Sequence, residues 1–173
     1  SWQDGRVNKK IERNYLEINS IKDLNESSKV DEKFSIQYLK TPDFQINKFF
    51  YKNVGKKHNW IDRLVWTEKQ WIDYVSDQNV KTYILKDKNE FAGYFELILH
   101  NDKNEIEIAY LGLLEEYINQ KIGSYLLSFA IKKSFFEKVK RVWVHTCSLD
   151  HKNALNNYVA RGMKVFKKET ITI

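Results

Sequence analysis

The chain has one cysteine, one proline, one methionine and six glycines among its 173 residues. A lone cysteine, Cys147, excludes an internal disulfide and any zinc site built on several cysteines. No apolar run approaches the roughly 20 residues that a membrane-spanning helix needs. The N-terminal residues show no apolar core of a secretory signal. The expectation is a soluble, cytoplasmic protein that uses no metal. Arginine is scarce as well, with five among the 29 basic residues. The net charge of +6 is spread from Lys9 to Lys168 with acidic residues among the lysines. A nucleic-acid surface concentrates its cations in a patch or stripe, which this pattern lacks. The charge better suits an anionic cofactor or substrate. Internal repeats and low-complexity segments are also missing.

What is present is globular: 42% hydrophobic and 30% charged residues, enough for one domain with a real core. Ile11–Ile18 reads as a short strand within an N-terminal extension, residues 1–30. The main domain is expected over 31–173. Lys33–Leu39 is a second strand. Thr41-Pro42-Asp43 supplies an N-cap, a proline at the first helical position and an early acid. The helix that follows buries Ile46, Phe49 and Phe50 and stops near Gly55. Thr67 to Gln70 is a capping box opening a second helix with Trp71, Ile72 and Val75 inward. Val80–Leu85 and Phe91–Leu99 are strands. Arg141–Thr146 is apolar on both faces, as a central strand is. Asp150 can cap a short helix ended by Gly162, and Met163–Lys168 is the last strand.

The chain is organised around Glu105–Leu127. Glu105 to Leu111 alternates with period two, Ile106, Ile108 and Tyr110 sharing one face, which predicts a strand. From Gly123 the period becomes helical, with Leu126, Leu127, Ala130, Ile131 and Phe135 on one side and Ser128, Lys132 and Lys133 on the other. The turn between points backbone N–H groups and the positive end of a helix dipole outward, a site suited to phosphate or pyrophosphate.

In order and in motif, residues 33–170 resemble the GNAT superfamily of N-acetyltransferases, in particular a bacterial subgroup. The family opens its central helix with Arg or Gln, two residues, Gly, one residue, and Gly or Ala. Aligned on Gly123, this chain has Ile118 at the first position and Lys121 at the first glycine, so only the second glycine survives. The later signature is closer: Ala154, Tyr158, Gly162 and Met163 stand where the family carries Ala, Tyr and Gly-Phe.

The resemblance implies an α/β (α+β) fold with a GNAT-type mixed, mostly antiparallel sheet flanked by helices. It also implies acetyl-CoA, or another acyl-CoA, as cofactor. The backbone of Leu111, Gly112 and Leu113 would pair with the pantetheine arm. Ile118, Asn119 and Gln120 would form the phosphate turn with Lys121, Ile122, Gly123 and Ser124. His151 replaces an asparagine that contacts the arm in relatives. Tyr158 takes the place of the tyrosine that protonates the departing thiolate, and a phenol can do so at neutral pH.

Acyl transfer also needs a base for the incoming ammonium. Glu107 stands on the strand where the family often places one. Glu96 is the rival. If Asn101-Asp102 is a two-residue turn, His100 pairs with Lys103, and Glu96 falls opposite Glu107. Two adjacent carboxylates would then raise one apparent pKa. A turn one residue longer breaks that pairing. The loop from Lys56 to Trp66, with His58, Trp60, Asp62 and Arg63, occupies the acceptor side. There Trp60 can stack and Arg63 can bind an acidic group. His145 reads as a strand residue with a satisfied ring, and Cys147 as structural.

The expected activity is transfer of acetyl from acetyl-CoA to a primary amine of a small molecule, with a homodimer admitted and neither nucleic acid nor membrane as partner. The alternatives are a non-catalytic acyl-CoA-binding or sensing module and a protein N-acetyltransferase.

Overall fold

The computed structural model describes residues 9–172, so the first eight residues of the expected N-terminal extension lie outside the described residues. Seven strands form one sheet: β1 (Lys10–Ile18), β2 (Phe34–Tyr38), β3 (Val80–Asp87), β4 (Glu90–His100), β5 (Glu105–Leu113), β6 (Arg141–Cys147) and β7 (Lys164–Thr172). Their spatial order is β2-β3-β4-β5-β6-β1-β7. All neighbours are antiparallel except β5 and β6. The mixed α+β fold, mostly antiparallel, is therefore as expected. β1 is no appendage: it lies between β6 and β7, pairing Leu16 with Val144 on one side and Val165 on the other.

Helices α1 (Phe44–Gly55) and α2 (Glu68–Ser76) cover one face of the sheet; α3 (Gly123–Phe136) and α4 (Lys152–Ala160) cover the other. Strand alternation sorts the residues between these layers. Leu85, Phe95, Ile106, Ile108 and Val142 pack under Leu126, Leu127 and Ile131 of α3, whereas Ile84 and Tyr94 pack against Phe50 and Val54 of α1. Burying such side chains contributes about 1.5–3 kcal/mol each.

Several local expectations are corrected. Asp43, not Thr41, caps α1, its carboxylate accepting from Gln45 N at 3.0 Å. Phe49 and Ile72 are each 41% exposed, while Asn47 and Tyr74 turn inward toward a buried polar cluster. Ser128 is buried, because the segment after β1 crosses the outside of α3 and Ser27 N donates to Ser128 Oγ at 3.0 Å. His151, not Asp150, caps α4, with its Nδ1 accepting from Asn153 N at 3.2 Å. The Thr67–Gln70 capping box of α2 forms as read.

The β4–β5 connection decides more than its own shape. It spans Asn101 to Asn104, four residues, with Asn104 at a left-handed φ of 55°. His100 consequently pairs with Glu105, and Glu107 falls opposite Ile98. Farther along, Leu97 faces Ile108 and Glu96 faces Tyr110, so Ala109 has no partner on β4. The proposed Glu96–Glu107 carboxylate pair is thus corrected: the turn length and this bulge set the two side chains apart.

Candidate functional site

β5 and β6 run side by side for only three residue pairs, from Glu105–Arg141 to Glu107–Trp143. Past Glu107 the strands part, just where the Ala109 bulge bends β5. The inner edge of β5 is left without a ladder partner there, and its backbone groups face a cleft. A groove of about 1110 Å³ opens on the α3 side, bordered by Leu111–Leu113, the 118–124 turn, and Ala154, Asn157 and Tyr158 of α4. A smaller cavity of about 110 Å³ lies on the α1 side, bordered by Trp60, Asp62, Tyr110, His145 and Cys147. His58, Leu111 and Tyr158 border both.

The turn into α3 has the features of an anion cradle. Asn119 and Lys121 are left-handed, with φ of 74° and 61°. Lys121 thus takes, at some backbone cost, the conformation that glycine adopts freely. Ile122 at the N-cap makes no side-chain cap, so the first N–H groups of α3 remain for an outside acceptor. Asn157 Nδ2 donates to Gly123 O at 3.2 Å and ties α4 to this turn. Lys29, Lys33 and Arg161 border the same groove. Uncapped N–H groups, several cations and an unpaired strand edge fit the phosphates and amide arm of an acyl-CoA.

Tyr158 is 6% exposed. Burial, reinforced by Asp150, pushes its phenol well above the ordinary value, so it keeps its proton. His151 borders the groove. Burial and the neighbouring His58 and Lys152 hold its imidazole below the usual range, consistent with its Nδ1 acting as a cap acceptor.

His58, read in the acceptor-side loop, and Asp150, read as a helix cap, form a pair that the sequence did not join. His58 Nδ1 lies 2.5 Å from Asp150 Oδ1. Thr146 Oγ1 donates to Asp150 Oδ2 at 2.6 Å, and His151 N donates to Oδ1 at 3.2 Å. The His58 ring stacks on Trp60, with centroids 5.0 Å apart. Ninety-two positions separate the two residues, and no spacing rule connects them.

The other expected site residues are divided. Trp60 and Asp62 border the smaller cavity, with Trp60 also edge-on to Tyr110 at 4.7 Å. Arg63 borders neither cavity: its Nη1 lies 2.9 Å from Glu96 Oε1. Glu96 also accepts from Tyr74 Oη at 2.6 Å and Asn47 Nδ2 at 2.8 Å. This carboxylate has no exposure, and three buried donors hold its two oxygens. Arg63 is therefore no ligand for an acidic acceptor, and Glu96 is not placed to take a proton from a substrate. Glu107 accepts from or shares a proton with His100 Nε2 at 3.0 Å, outside the lining of both cavities.

Among solved structures the chain is similar to a GCN5-related N-acetyltransferase from Sphaerobacter thermophilus, at 12% identity over 99% of this chain and 53% of that one, with a TM-score of 0.70. A functionally unknown conserved protein from Staphylococcus epidermidis is similar at 16% identity over 99% of this chain and 64% of its own, TM-score 0.66. An aminoglycoside acetyltransferase from an uncultured soil metagenomic sample is similar at 14% identity, 77% of this chain and 90% of that one, TM-score 0.62. At these identities the likeness is one of fold. The chain spans 53% and 64% of the lengths of the first two. A search of curated proteins finds no match. The sequence profile of the acetyltransferase (GNAT) family matches residues 39–163, from just after β2 to just before β7. That stretch includes the turn into α3, the parted strands and Tyr158, and the match shows that the chain belongs to the GNAT family of acetyltransferases.

Proposed function

We propose that this protein is an acyl-CoA-dependent N-acyltransferase that moves acetyl from acetyl-CoA directly to the primary amine of a small molecule. The observation that carries the reading is the junction of the groove and the smaller cavity at Leu111 and Tyr158, where the strands part. A cofactor lying in the groove and an acceptor entering from the opposite face would meet there. When bound, an acyl-CoA supplies an acyl group activated as a thioester.

The N-terminus of α3 and the Lys121 ammonium hold phosphate charge. The free edge of β5 from Leu111 to Leu113 offers main-chain partners that fix an extended amide arm. Tyr158, protonated and at the junction, donates its proton to the sulfur as it leaves. A positioned acid of this kind contributes about 10²–10⁴-fold in rate. The smaller cavity, at about 110 Å³, is well below the roughly 300 Å³ where drug-sized pockets begin. It therefore accepts a small amine or the end of one.

A second reading is a non-catalytic acyl-CoA sensor, favoured by the non-glycine residue at 121 and the isoleucine at 118 in the phosphate turn. Thiol release from acetyl-CoA over a panel of small primary amines separates the two. Turnover with any amine supports the enzyme, whereas calorimetric binding of acetyl-CoA without turnover supports the sensor.

A further inference from the structure

We propose that the His58–Asp150 pair is the general base of this site, and that the smaller cavity takes a compact cationic amine with an apolar body. The inference rests on the acyl-transfer reading above and supplies what that reading lacks, a group to receive the ammonium proton. Asp150 occupies Nδ1 of His58, which leaves Nε2 as the ring nitrogen free to work. The Nε2 points at β5: a methyl group added to Gly112 would stand 3.3 Å from it. Glycine at 112 is what lets the ring reach the parted strand. The ring is fixed on a second side by Trp60, and Asp150 is itself held by the Thr146 hydroxyl and the His151 amide. An imidazole whose tautomer is set by a carboxylate is the arrangement a proton acceptor needs.

The competing groups are otherwise engaged. Glu96 is paired with Arg63, Glu107 with His100, and Tyr158 is protonated. Ionisable groups near His58 are Asp150, His151, Lys57, Asp62, Tyr110 and Tyr158.

The acceptor's character follows from the cavity. Ile61, Ile108, Val144 and Leu149 give aliphatic walls, and Trp60 and Tyr110 add aromatic faces. Asp62 brings a carboxylate to the rim. Arg13, the wall's cation, faces Glu169 at 3.6 Å. An ammonium group is welcome in such surroundings and a free anion is not. In the reaction the ammonium nitrogen loses two protons. One passes to His58 Nε2 and on to solvent. The new C–N bond forms as the C–S bond breaks, with the electron pair leaving on sulfur and receiving the Tyr158 proton. The second nitrogen proton then restores the phenol.

Two measurements test the pair. In the free protein, side-chain ¹⁵N NMR should show the neutral form of the His58 ring protonated on Nδ1 and bare on Nε2, and Asp150→Asn should disturb that tautomer. In turnover, His58→Gln should lower kcat by about 10²–10⁴-fold. Calorimetric affinity for acetyl-CoA should hold, and the deficit should shrink as rising pH supplies neutral amine. Asp62→Asn should raise KM for the amine far more than it lowers kcat. A neutral wild-type ring that carries its proton on Nε2 instead, or near-full kcat for His58→Gln when chemistry limits the rate, overturns the proposal alone. The expected tautomer with no wild-type turnover of any amine overturns the acyl-transfer reading and takes this one with it.

Discussion

Arg63 Nη1 meets Glu96 Oε1 at 2.9 Å with the guanidinium 6% and the carboxylate 0% exposed, and this ion pair pins the loop that carries His58, Trp60 and Asp62. Five aromatic rings surround the guanidinium, Tyr74 at 4.1 Å and Tyr110 at 4.3 Å being nearest. Glu96, from β4, also accepts hydrogen bonds from Asn47 of α1 and Tyr74 of α2. A buried pair of this kind adds little net stability, but breaking it is costly because one charge is left alone. Arg63→Met should therefore destabilise the fold by about 3–5 kcal/mol in denaturant titration. Arg63→Met with Glu96→Leu should recover most of that loss. Equal destabilisation in the single and double variants would show that packing, not charge pairing, is what the residues supply.

Tyr158→Phe removes one hydroxyl and keeps the ring against the core. We expect kcat to fall by about 10²–10⁴-fold with little change in KM for acetyl-CoA, since the lost interaction belongs to the transition state. Steady-state kinetics checks this, and unaltered kcat in a chemistry-limited assay would make Tyr158 a packing residue only.

Gly112→Ala places a Cβ 2.4 Å from Val54 Cγ1 as well as against His58. Overpacking of this size costs about 1–3 kcal/mol. Because the collision pushes α1 and the His58 ring away from β5, turnover should suffer more than acetyl-CoA affinity. Thermal melts, calorimetry and kinetics on the one variant read all three effects.

Lys121→Gly should separate backbone strain from charge. Relief of the left-handed φ should stabilise the protein by roughly 1 kcal/mol. Loss of the ammonium should weaken acetyl-CoA binding, and more so at low ionic strength. A variant that binds acetyl-CoA as tightly as the wild type at low salt would show that Lys121 makes no phosphate contact.

The α4 cap carries a pH signature. His151 must be neutral at Nδ1 to accept from Asn153 N, and its folded pKa lies below the ordinary value because of burial and the nearby His58 and Lys152. The unfolded chain thus binds the proton more readily. Stability from this residue is complete above about pH 6.5 and is lost as pH falls through that value toward the folded pKa. His151→Asn keeps a cap acceptor without a proton to gain, so it should flatten the acid limb of Tm against pH. An unchanged acid limb would contradict the assignment.

The sequence's legibility follows from how local each signal is. The capping box at Thr67, the β5 strand and the helix after Gly123 are set by neighbours within one or two turns, and all three elements form where read, although the bulge at Ala109 turns Tyr110 to the face opposite Ile106 and Ile108. Ser128 looked outward by helical period, yet a distant segment, Ser27, covers it. Glu96 and Arg63 looked available because nothing nearby in the chain reveals that they face one another. His58 and Asp150 come from the α1–α2 loop and the β6–α4 turn, and only the fold brings them together. Polar partnerships between distant elements, which settle the chemistry of a site, are the part that one chain's periodicity does not encode.

The central claim is that amine and acyl-CoA react where the two cavities meet. Free-thiol release from acetyl-CoA, with a panel of small primary amines and with mass detection of the product, tests it most directly. The account predicts stoichiometric thiol and N-acetyl amine, with the best rates for compact cationic amines and a rate loss in both Tyr158→Phe and His58→Gln. Acetyl-CoA binding with no thiol released for any amine would contradict it.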